Sequence, residues 1–422
     1  MTLSLNLLDI INKTYIFVFL FITMKSILQR RVLKNGMIVL FEKRDLPIIS
    51  IAYAVRYGGI NEDLDEKGIA HFIEHMLYKG TSKRNSKQIA EDIEKKGGIM
   101  NGFTDEAVTA FWTKAPSKYT FEILDVLTDM VKNPVFDEKE LEKERKVIFE
   151  EMKMRRDNPR AFVLDEIKSF LYEEPFGPAL IGSVKTMSSI DRKKMIEKFK
   201  NVYNANNLIF VAVGDGDFEK LCGYLEKNFS KSGGKIGLPS VKLKNEIKIV
   251  KRKGIDQVNL VFAYHSPLSG DKLNYASEVL SVLMAEGMSS RLFSEIREKR
   301  NMAYAIMGDS TSEKDYGYNL IYVGTTKENV DKVKELILKE FESVSKSLSE
   351  KELNSIKEKI IGNYLVLNED SQNRLLFLLM SEINGNFNEV LNYEKNISNV
   401  KLEDIKRLAK IKNYSFLALV PE

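Results

Sequence analysis

The chain has 422 residues, of which 44% are hydrophobic and 29% charged; these globular proportions exclude wholesale disorder, collagen and multi-span membrane architectures. The length is enough for roughly two to four domains. The net charge of +4 is spread along the chain without a basic block, so nucleic acid is not an expected partner, and the single Cys222 excludes an intramolecular disulfide or a multi-cysteine metal site.

An apolar segment lies near the N-terminus, at residues 15–24. Ten residues are too few to span a bilayer. Only Lys13 precedes the segment as a positive charge, and no small-residue cleavage site follows it, so the segment is a poor signal peptide. We therefore expect translation to start at Met24 and the protein to be cytoplasmic; export or membrane association through this segment is the alternative.

The first half mixes predicted strands and helices. Apolar, β-branched runs predict strands at residues 37–42, 48–57 and 207–213. Apolar residues at helical spacing predict a helix at 118–132, and Ser86 can cap another helix that ends before the glycines at 97–98.

The second half repeats this order after a glycine- and proline-rich stretch at residues 230–239. Strands are predicted at 247–250 and 258–264, and helices at 275–284 and 330–344. The string FDEKEL at 136–141 matches LSEKEL at 348–353, 212 positions later, which indicates an internal duplication. Clustered strands and helices favour an α+β fold with two similar domains, each a mostly antiparallel sheet packed with helices.

The chemistry is concentrated in one helical turn of the first half, where HFIEH occupies residues 71–75. Residues four apart lie on the same helix face, so His71 and His75 can present two imidazoles to one ion, with Glu74 beside them. The H-x-x-E-H order occurs among zinc peptidases. Two surface histidines are the alternative, but the chain contains only three histidines, and two of them fall here.

A catalytic zinc needs a third protein ligand and an open position for water. In the predicted helix at 137–155, Glu144 and Glu151 fall on the same stripe as Leu141 and Ile148. Buried carboxylates need a partner or a metal, so both are candidates. Glu150 is rotated by about 100° from this stripe and is expected to be solvated.

The duplication offers a check on these carboxylates. In the second copy, Ile356 stands at the position of Glu144 and Asn363 at that of Glu151. No histidine follows His265, so the second half cannot rebuild the site. We conclude that one copy is catalytic and the other is not.

These strings resemble the pitrilysin/insulinase family of zinc peptidases. HFIEH is followed by MLYKGT and preceded by GGINE, and ERKVIFEEM follows at 144–152. From about Leu33 onward the layout is similar to the mitochondrial processing peptidase branch and its bacterial relatives. The resemblance implies His71, His75 and Glu151 as ligands of one zinc ion per chain, Glu74 as general base, and Glu144 as a carboxylate that orients a ligand histidine.

The resemblance also implies substrate-binding residues in each half. Asn101, Gly102 and Phe103 match an edge segment that pairs with an extended peptide backbone, although the residues alone favour a turn asparagine. Arg297 and Tyr304 match a substrate-binding arginine and tyrosine, although the residues alone favour a solvated arginine and a core tyrosine.

One departure from the family pattern lies between that arginine and tyrosine. Asn301 occupies a place where relatives often have glycine, so the local loop conformation is an open question.

The predicted function is zinc-dependent hydrolysis of unfolded or presequence-like peptides. The resemblance implies that the chain forms half of a clam-like chamber, as a homodimer or with a non-catalytic paralogous subunit. A non-catalytic peptide-binding or structural protein, like the core subunits of respiratory complexes, is the alternative. The predicted domains are an N-terminal extension at 1–31, a catalytic zinc-binding domain at 32–233, a linker at 234–243 and a homologous substrate-binding domain at 244–422.

Overall fold

The computed structural model describes residues 28–234, 236–237 and 239–422. The predicted apolar segment at 15–24 and the predicted start at Met24 lie outside the described residues. Within the described ranges, no helix is both long and apolar enough to cross a membrane.

In the described part of the chain, eleven strands form two sheets. The first sheet has the order β1-β2-β6-β3-β5-β4 and the second the order β7-β11-β8-β10-β9. The strands are β1 (Leu28–Val32), β2 (Ile38–Lys43), β3 (Ile48–Val55), β4 (Ile99–Thr104), β5 (Thr109–Pro116), β6 (Leu208–Gly214), β7 (Ile247–Arg252), β8 (Val258–His265), β9 (Ala303–Ser312), β10 (Gly317–Thr325) and β11 (Ser415–Pro421).

Both sheets are mostly antiparallel, as predicted. Each contains one parallel pair, β2 with β6 and β7 with β11, and the other neighbours are antiparallel. If β1 is left out, the first sheet has the order β2-β6-β3-β5-β4. The second sheet, β7-β11-β8-β10-β9, has the same arrangement, with one parallel pair followed by antiparallel neighbours. This shared topology agrees with the duplication inferred from the sequence.

The helices cover both faces of the sheets. They are α1 (Ile69–Leu77), α2 (Ser86–Glu94), α3 (Thr120–Lys132), α4 (Glu138–Asp157), α5 (Pro159–Leu171), α6 (Val184–Ser189), α7 (Arg192–Val202), α8 (Phe218–Asn228), α9 (Asn274–Ala285), α10 (Val330–Ser347), α11 (Glu350–Glu369), α12 (Ser371–Ile383), α13 (Tyr393–Ser398) and α14 (Leu402–Leu408), with a π-helix at Phe293–Glu298. Because both faces are covered, central strands such as β6 are apolar throughout rather than alternating.

The 212-residue offset holds for two consecutive helices. The helices α4 and α11 each have 20 residues, and α5 and α12 each have 13, at positions 212 apart. A side-chain cap starts the second helix of each pair: Asn158 accepts from two backbone N–H groups of α5, and Asp370 accepts from two of α12.

The two halves exchange these second helices. Val163 and Ile167 of α5, in the first half, pack against Val261 and Leu417 of the second sheet. On the other side, Leu375, Leu378 and Leu379 of α12 belong to the same cluster as strands β2, β3 and β6 of the first sheet. Each sheet is therefore covered on one face by a helix from the other half of the chain.

This exchange bears on the predicted domain limits of 32–233 and 244–422. A cut between these limits would separate each sheet from one of its covering helices. The predicted linker at 234–243 lies between α8 and β7, where Leu243 forms a bridge with Tyr172. The predicted extension at 1–31 includes most of β1, which pairs with β2.

Candidate metal centre and active site

Helix α1 carries the H-x-x-E-H string and begins after Gly68, whose φ of +94° suits glycine. The buried carboxylate of Glu62 accepts hydrogen bonds from the backbone N–H groups of Gly68 (2.9 Å) and Ala70 (2.8 Å). It thereby satisfies donors that a helix N-terminus leaves unpaired. The apolar face of α1, which includes the fully buried Phe72, packs into the core and leaves the opposite face to the cleft.

Three predicted ligands converge at this cleft. The Nε2 atoms of His71 and His75 are 3.3 Å apart, and an Oε2 atom of Glu151, on α4, lies 3.6 Å from the first and 3.8 Å from the second. A tetrahedral zinc ion with bonds of about 2.0 to 2.2 Å holds its ligand atoms about 3.3 to 3.6 Å apart. Two of the three spacings fall in this range and the third, at 3.8 Å, lies just above it, so the three atoms could hold such an ion. These are the residues in the described part of the chain that could do so.

Burial prepares His71 for this role. It lowers the pKa of the His71 imidazole to about 3, with smaller contributions from the neighbouring His75 ring and the Arg155 guanidinium. The ring is therefore neutral near pH 7, and a neutral imidazole is the form that binds metal.

Glu144 occupies a different position from Glu151. Its Oε2 atom lies 3.1 Å from Nδ1 of His75, and its Oε1 atom forms an ion pair with Nζ of Lys79 at 2.7 Å. A proton on Nδ1 of His75 leaves the lone pair of Nε2 directed at the cleft. Glu144, Leu141 and Ile148 are buried, as the stripe on α4 predicts.

Glu150 lies outside this stripe, on the solvent-exposed part of α4. Its carboxylate pairs with Lys153 at 2.6 Å, and its side chain is 71% exposed. The prediction that Glu150 is solvated is therefore confirmed.

Glu74 lies beside the three ligands, on the wall of the same cleft. Its Oε2 atom accepts a hydrogen bond from the Thr104 hydroxyl at 2.7 Å. Burial raises the pKa of the Glu74 carboxyl above its ordinary value, and the Thr104 hydrogen bond opposes this shift. A Cβ atom at Gly102 would lie 2.6 Å from the Tyr78 hydroxyl and 3.3 Å from Oε1 of Glu74. Glycine at position 102 thus leaves room for the carboxyl.

The cleft has a volume of about 420 Å³ and is lined by α1, β4, α4 and α5. The buried ion pair of Glu106 and Lys168 lies on its wall. Tyr318, on β10 of the second half, also lines it. Because both halves contribute, the cleft depends on how they pack together.

The predicted peptide-pairing segment lies on a sheet edge. Asn101, Gly102 and Phe103 belong to β4, which is the last strand of the first sheet. Gly102 and Phe103 line the cleft, whereas the exposed Asn101 accepts a hydrogen bond from the backbone N–H of Gly102.

The predicted pair in the second half is also brought together. The guanidinium of Arg297, in the π-helix, donates to the backbone oxygen of Tyr304 at 3.0 Å and lies over the ring of Phe293. Both side chains of the pair are substantially exposed, and neither lines the cleft described above. Asn301 has a φ of +52°, a left-handed conformation that glycine adopts freely and asparagine tolerates better than most residues.

Sequence comparison is consistent with this geometry. The model of the insulinase family, peptidase family M16, matches residues 38–183, and that of the peptidase M16 inactive domain matches residues 189–360. The chain is 30% identical over 342 residues to an uncharacterized zinc protease of Rickettsia felis. The aligned region covers 80% of this chain and 83% of that protein. The chain belongs to the insulinase family, peptidase family M16. All three candidate ligands fall within the first matched range.

Other members and structures agree with the family assignment. An uncharacterized zinc protease of Bacillus subtilis is 28% identical over 82% of this chain and 86% of its own. A protease from Helicobacter pylori has the same fold, with a TM-score of 0.87 at 22% identity over 94% of this chain and 100% of that chain. A chain of complex III2 from Candida albicans has a TM-score of 0.81 at 16% identity, over 93% and 95% of the two chains.

Sequence reasoning missed several polar groups around the H-x-x-E-H string at residues 71–75. Thr104 lies two residues beyond Gly102 on β4, and Lys79 lies four beyond His75, so sequence proximity could have suggested both. Arg155, which pairs with Asp165 at 2.6 Å, lies one turn beyond Glu151 on α4. Glu106 gave no local signal, because its partner Lys168 is distant in sequence.

Proposed function

We propose that the protein is a zinc-dependent metalloendopeptidase that hydrolyses unfolded or presequence-like peptides. The observation that carries this proposal is the convergence of His71, His75 and Glu151 at tetrahedral spacing, with the carboxyl of Glu74 beside them. A structural member of the fold has no need for this arrangement, whereas the reaction requires it.

His71, His75 and Glu151 would hold the ion. A zinc ion bound there would supply a Lewis acid that polarises the substrate carbonyl and lowers the pKa of water to about 7. Glu74 takes a proton from the attacking water as the new C–O bond forms. It then gives a proton to the departing nitrogen as the C–N bond breaks, so the products are a carboxylic acid and an amine.

The edge of the cleft supports the proposed substrate class. Strand β4 lies at the end of its sheet, and its residues Gly102 and Phe103 line the cleft. An extended peptide can add to such an edge through backbone hydrogen bonds, whereas most backbone groups of a folded protein are already paired. We assign Asn101, Gly102 and Phe103 to this pairing.

We assign Arg297 and Tyr304 to binding the substrate backbone or the reacting carbonyl. Their exposure in one chain fits an assembly in which the second half of one protomer faces the active half of another. A homodimer is therefore the proposed assembly, with a non-catalytic paralogous subunit as the alternative partner. A cytoplasmic location, or export through the N-terminal segment, remains a prediction from sequence.

The test is a peptide-library digest that compares the wild-type protein with Glu74→Gln, each with and without a chelator. General acid–base catalysis is worth about 10² to 10⁴ in rate, so we expect Glu74→Gln to lose at least that factor while retaining zinc. The chelator should abolish cleavage by the wild type. Zinc-loaded wild-type protein that cuts no unstructured peptide would instead favour the non-catalytic alternative.

A further inference from the structure

The outer edge of β7 has no strand beside it among the described residues, because β7 ends the second sheet. Its counterpart in the first half is β2, since each of the two is the parallel partner of a central strand, β11 or β6. The outer edge of β2, however, is covered by β1, which pairs with it along its whole length. In the described part of the chain, the second half therefore lacks the strand that completes the first sheet.

The segment that precedes β7 takes a different path from the segment that precedes β2. The residues just before β2 form β1, whereas Leu243, just before β7, forms a bridge with Tyr172. The N–H group of Lys244 donates to the backbone oxygen of Leu171 at 2.9 Å. These contacts direct the segment toward the end of α5 and away from the outer edge of β7.

The unpaired backbone groups of β7 can be identified from its register with β11. Phe416 is paired with Ile247, and its N–H group donates to the backbone oxygen of Glu246 at 2.9 Å. Alternate residues of a strand in a parallel ladder direct both backbone groups to the same neighbour. The N–H and C=O groups of Ile247, Ile249 and Lys251 therefore point away from β11, as a template for a further strand.

One face of this edge is apolar. Ile247 and Ile249 lie on the same face of β7 and are each 53% exposed. Their neighbours on β11, Phe416 and Ala418, belong to the buried core on that face of the second sheet. A strand added to β7 would cover the two isoleucines and extend this core.

The edge is also positively charged. The sequence of β7, IKIVKR, contains three basic residues and no acidic one. Among the described residues, none of Lys248, Lys251 and Arg252 forms an ion pair, although the ion pairs Lys244–Glu246 and Lys253–Glu422 flank the strand. Arg252 donates to a backbone oxygen instead. Lys248 opposes the rise that burial causes in the pKa of Glu166, on α5, without pairing with it.

These charges decide between possible occupants. Pairing of β7 with the same strand of a second copy would place like charges opposite one another, which is destabilising. We propose that the outer edge of β7 binds an extended segment of another protein in which acidic residues alternate with β-branched apolar residues. The apolar side chains lie beside Ile247 and Ile249, and the acidic ones lie on the opposite face beside Lys248 and Arg252. The proposal does not depend on the metal centre or on peptide hydrolysis.

The experiment is fluorescence anisotropy with a labelled, end-blocked peptide of alternating valine and glutamate. Glu74→Gln protein serves as the parent, so that the peptide is not cut during the titration. Two control peptides are one with the same composition in separate valine and glutamate blocks, and one with lysine in place of glutamate. Backbone hydrogen bonds and ion pairs together should make the alternating acidic peptide bind about tenfold or more tightly than either control. Equal affinities, or no binding, would overturn the proposal.

Variants of β7 locate the site, because the peptide could also add to β4. Ile249→Pro removes an outward N–H group without breaking the ladder to β11, and should weaken binding about tenfold. Lys248→Glu should weaken binding of the glutamate peptide and strengthen binding of the lysine peptide. Lys87→Glu, at an 82% exposed side chain of α2, is the matched control and should bind like the parent. Unaltered binding in both β7 variants contradicts the proposal, and Lys248→Glu decides the matter if Ile249→Pro fails to fold.

Two further measurements test the other occupants. Sedimentation without peptide should give the same assembly for the parent and for Ile249→Pro. A smaller assembly for Ile249→Pro would assign the edge to a second copy of the chain. Peptide binding that appears only after removal of residues 1–23 would assign the edge to the chain's own N-terminal segment. Either result contradicts the proposal.

Discussion

In the proposed metal centre, the two ring nitrogens of His75 have different partners, and Glu144 binds one of them. Its carboxylate holds Nδ1 at 3.1 Å while Lys79 holds the carboxylate. Nε2 then remains available to bind the proposed ion. The same helix, α4, carries Glu151 two turns further on, so one rigid element positions both a proposed ligand and the residue that would orient another.

We expect Glu144→Gln to weaken zinc binding about 10- to 100-fold, because partners of ligand histidines typically contribute that much. The measurement is a zinc competition titration against a chelator of known affinity. Glu150→Gln is the matched control on the same helix, and its zinc affinity should equal that of the wild type. An unaltered affinity in Glu144→Gln would show that His75 needs no such partner.

Residue-level prediction from sequence succeeded where helical spacing fixes geometry. The four-residue spacing of His71 and His75, and the stripe of α4, place side chains relative to one another without knowledge of the fold. The hydrogen bond from Thr104 to Glu74 and the pairing of Glu106 with Lys168 depend on where a strand lies against a helix. The spacing of residues along the chain does not determine the distance between a strand and a helix that are packed together.

Helix α12 is the element that ties the second half to the first sheet. Besides its leucines, Arg374 donates to Glu42 of β2 at 2.7 Å, and both side chains are buried, at 8% and 2% exposure. Lys114 of β5 pairs with the cap residue Asp370. The contact is therefore both apolar and ionic.

We expect Arg374→Ala to lower the free energy of unfolding by about 3 kcal/mol, since removal of one partner leaves a buried charge less compensated. Arg44, 3.1 Å from Glu42, remains as a partner and keeps the loss at the lower end of the usual range. Urea unfolding measures the change. Lys153→Ala, which removes an exposed pair, should leave the unfolding midpoint unaltered; a similar midpoint for both variants would argue against a structural role for Arg374.

At the scale of elements, the sequence predicts the duplication and some of the strands and helices, such as β3 and α3, but not β10, β11, α5 or α12. It does not predict that α5 and α12 each pack against the sheet of the other half. An apolar helix face indicates that the helix is buried, but Val163 and Leu375 would pack equally well on any apolar sheet. The choice between sheets depends on the chain path after the caps at Asn158 and Asp370, which is a tertiary property.

The exchange makes the two halves of the molecule dependent on each other. Without α5, the second sheet would expose residues such as Val261, Leu320 and Leu417 to water, and without α12 the first sheet would expose Leu40 and its neighbours. Exposed apolar area of this kind destabilises a domain and promotes aggregation.

We therefore expect residues 244–422 produced alone to lack cooperative unfolding and to aggregate, as measured by circular dichroism and size-exclusion chromatography. Co-expression with residues 28–243 should restore a soluble complex with cooperative unfolding. A monomeric, cooperatively folded 244–422 fragment would show that the exchange is dispensable.

The whole account depends on one ion held by His71, His75 and Glu151, and metal content measures this most directly. Elemental analysis after zinc resupply and dialysis should give one zinc per chain for the wild type and for Glu74→Gln. Glu151→Gln, which removes an anionic ligand, should retain far less. A metal-free wild type, or equal zinc in Glu151→Gln, would contradict the proposed centre.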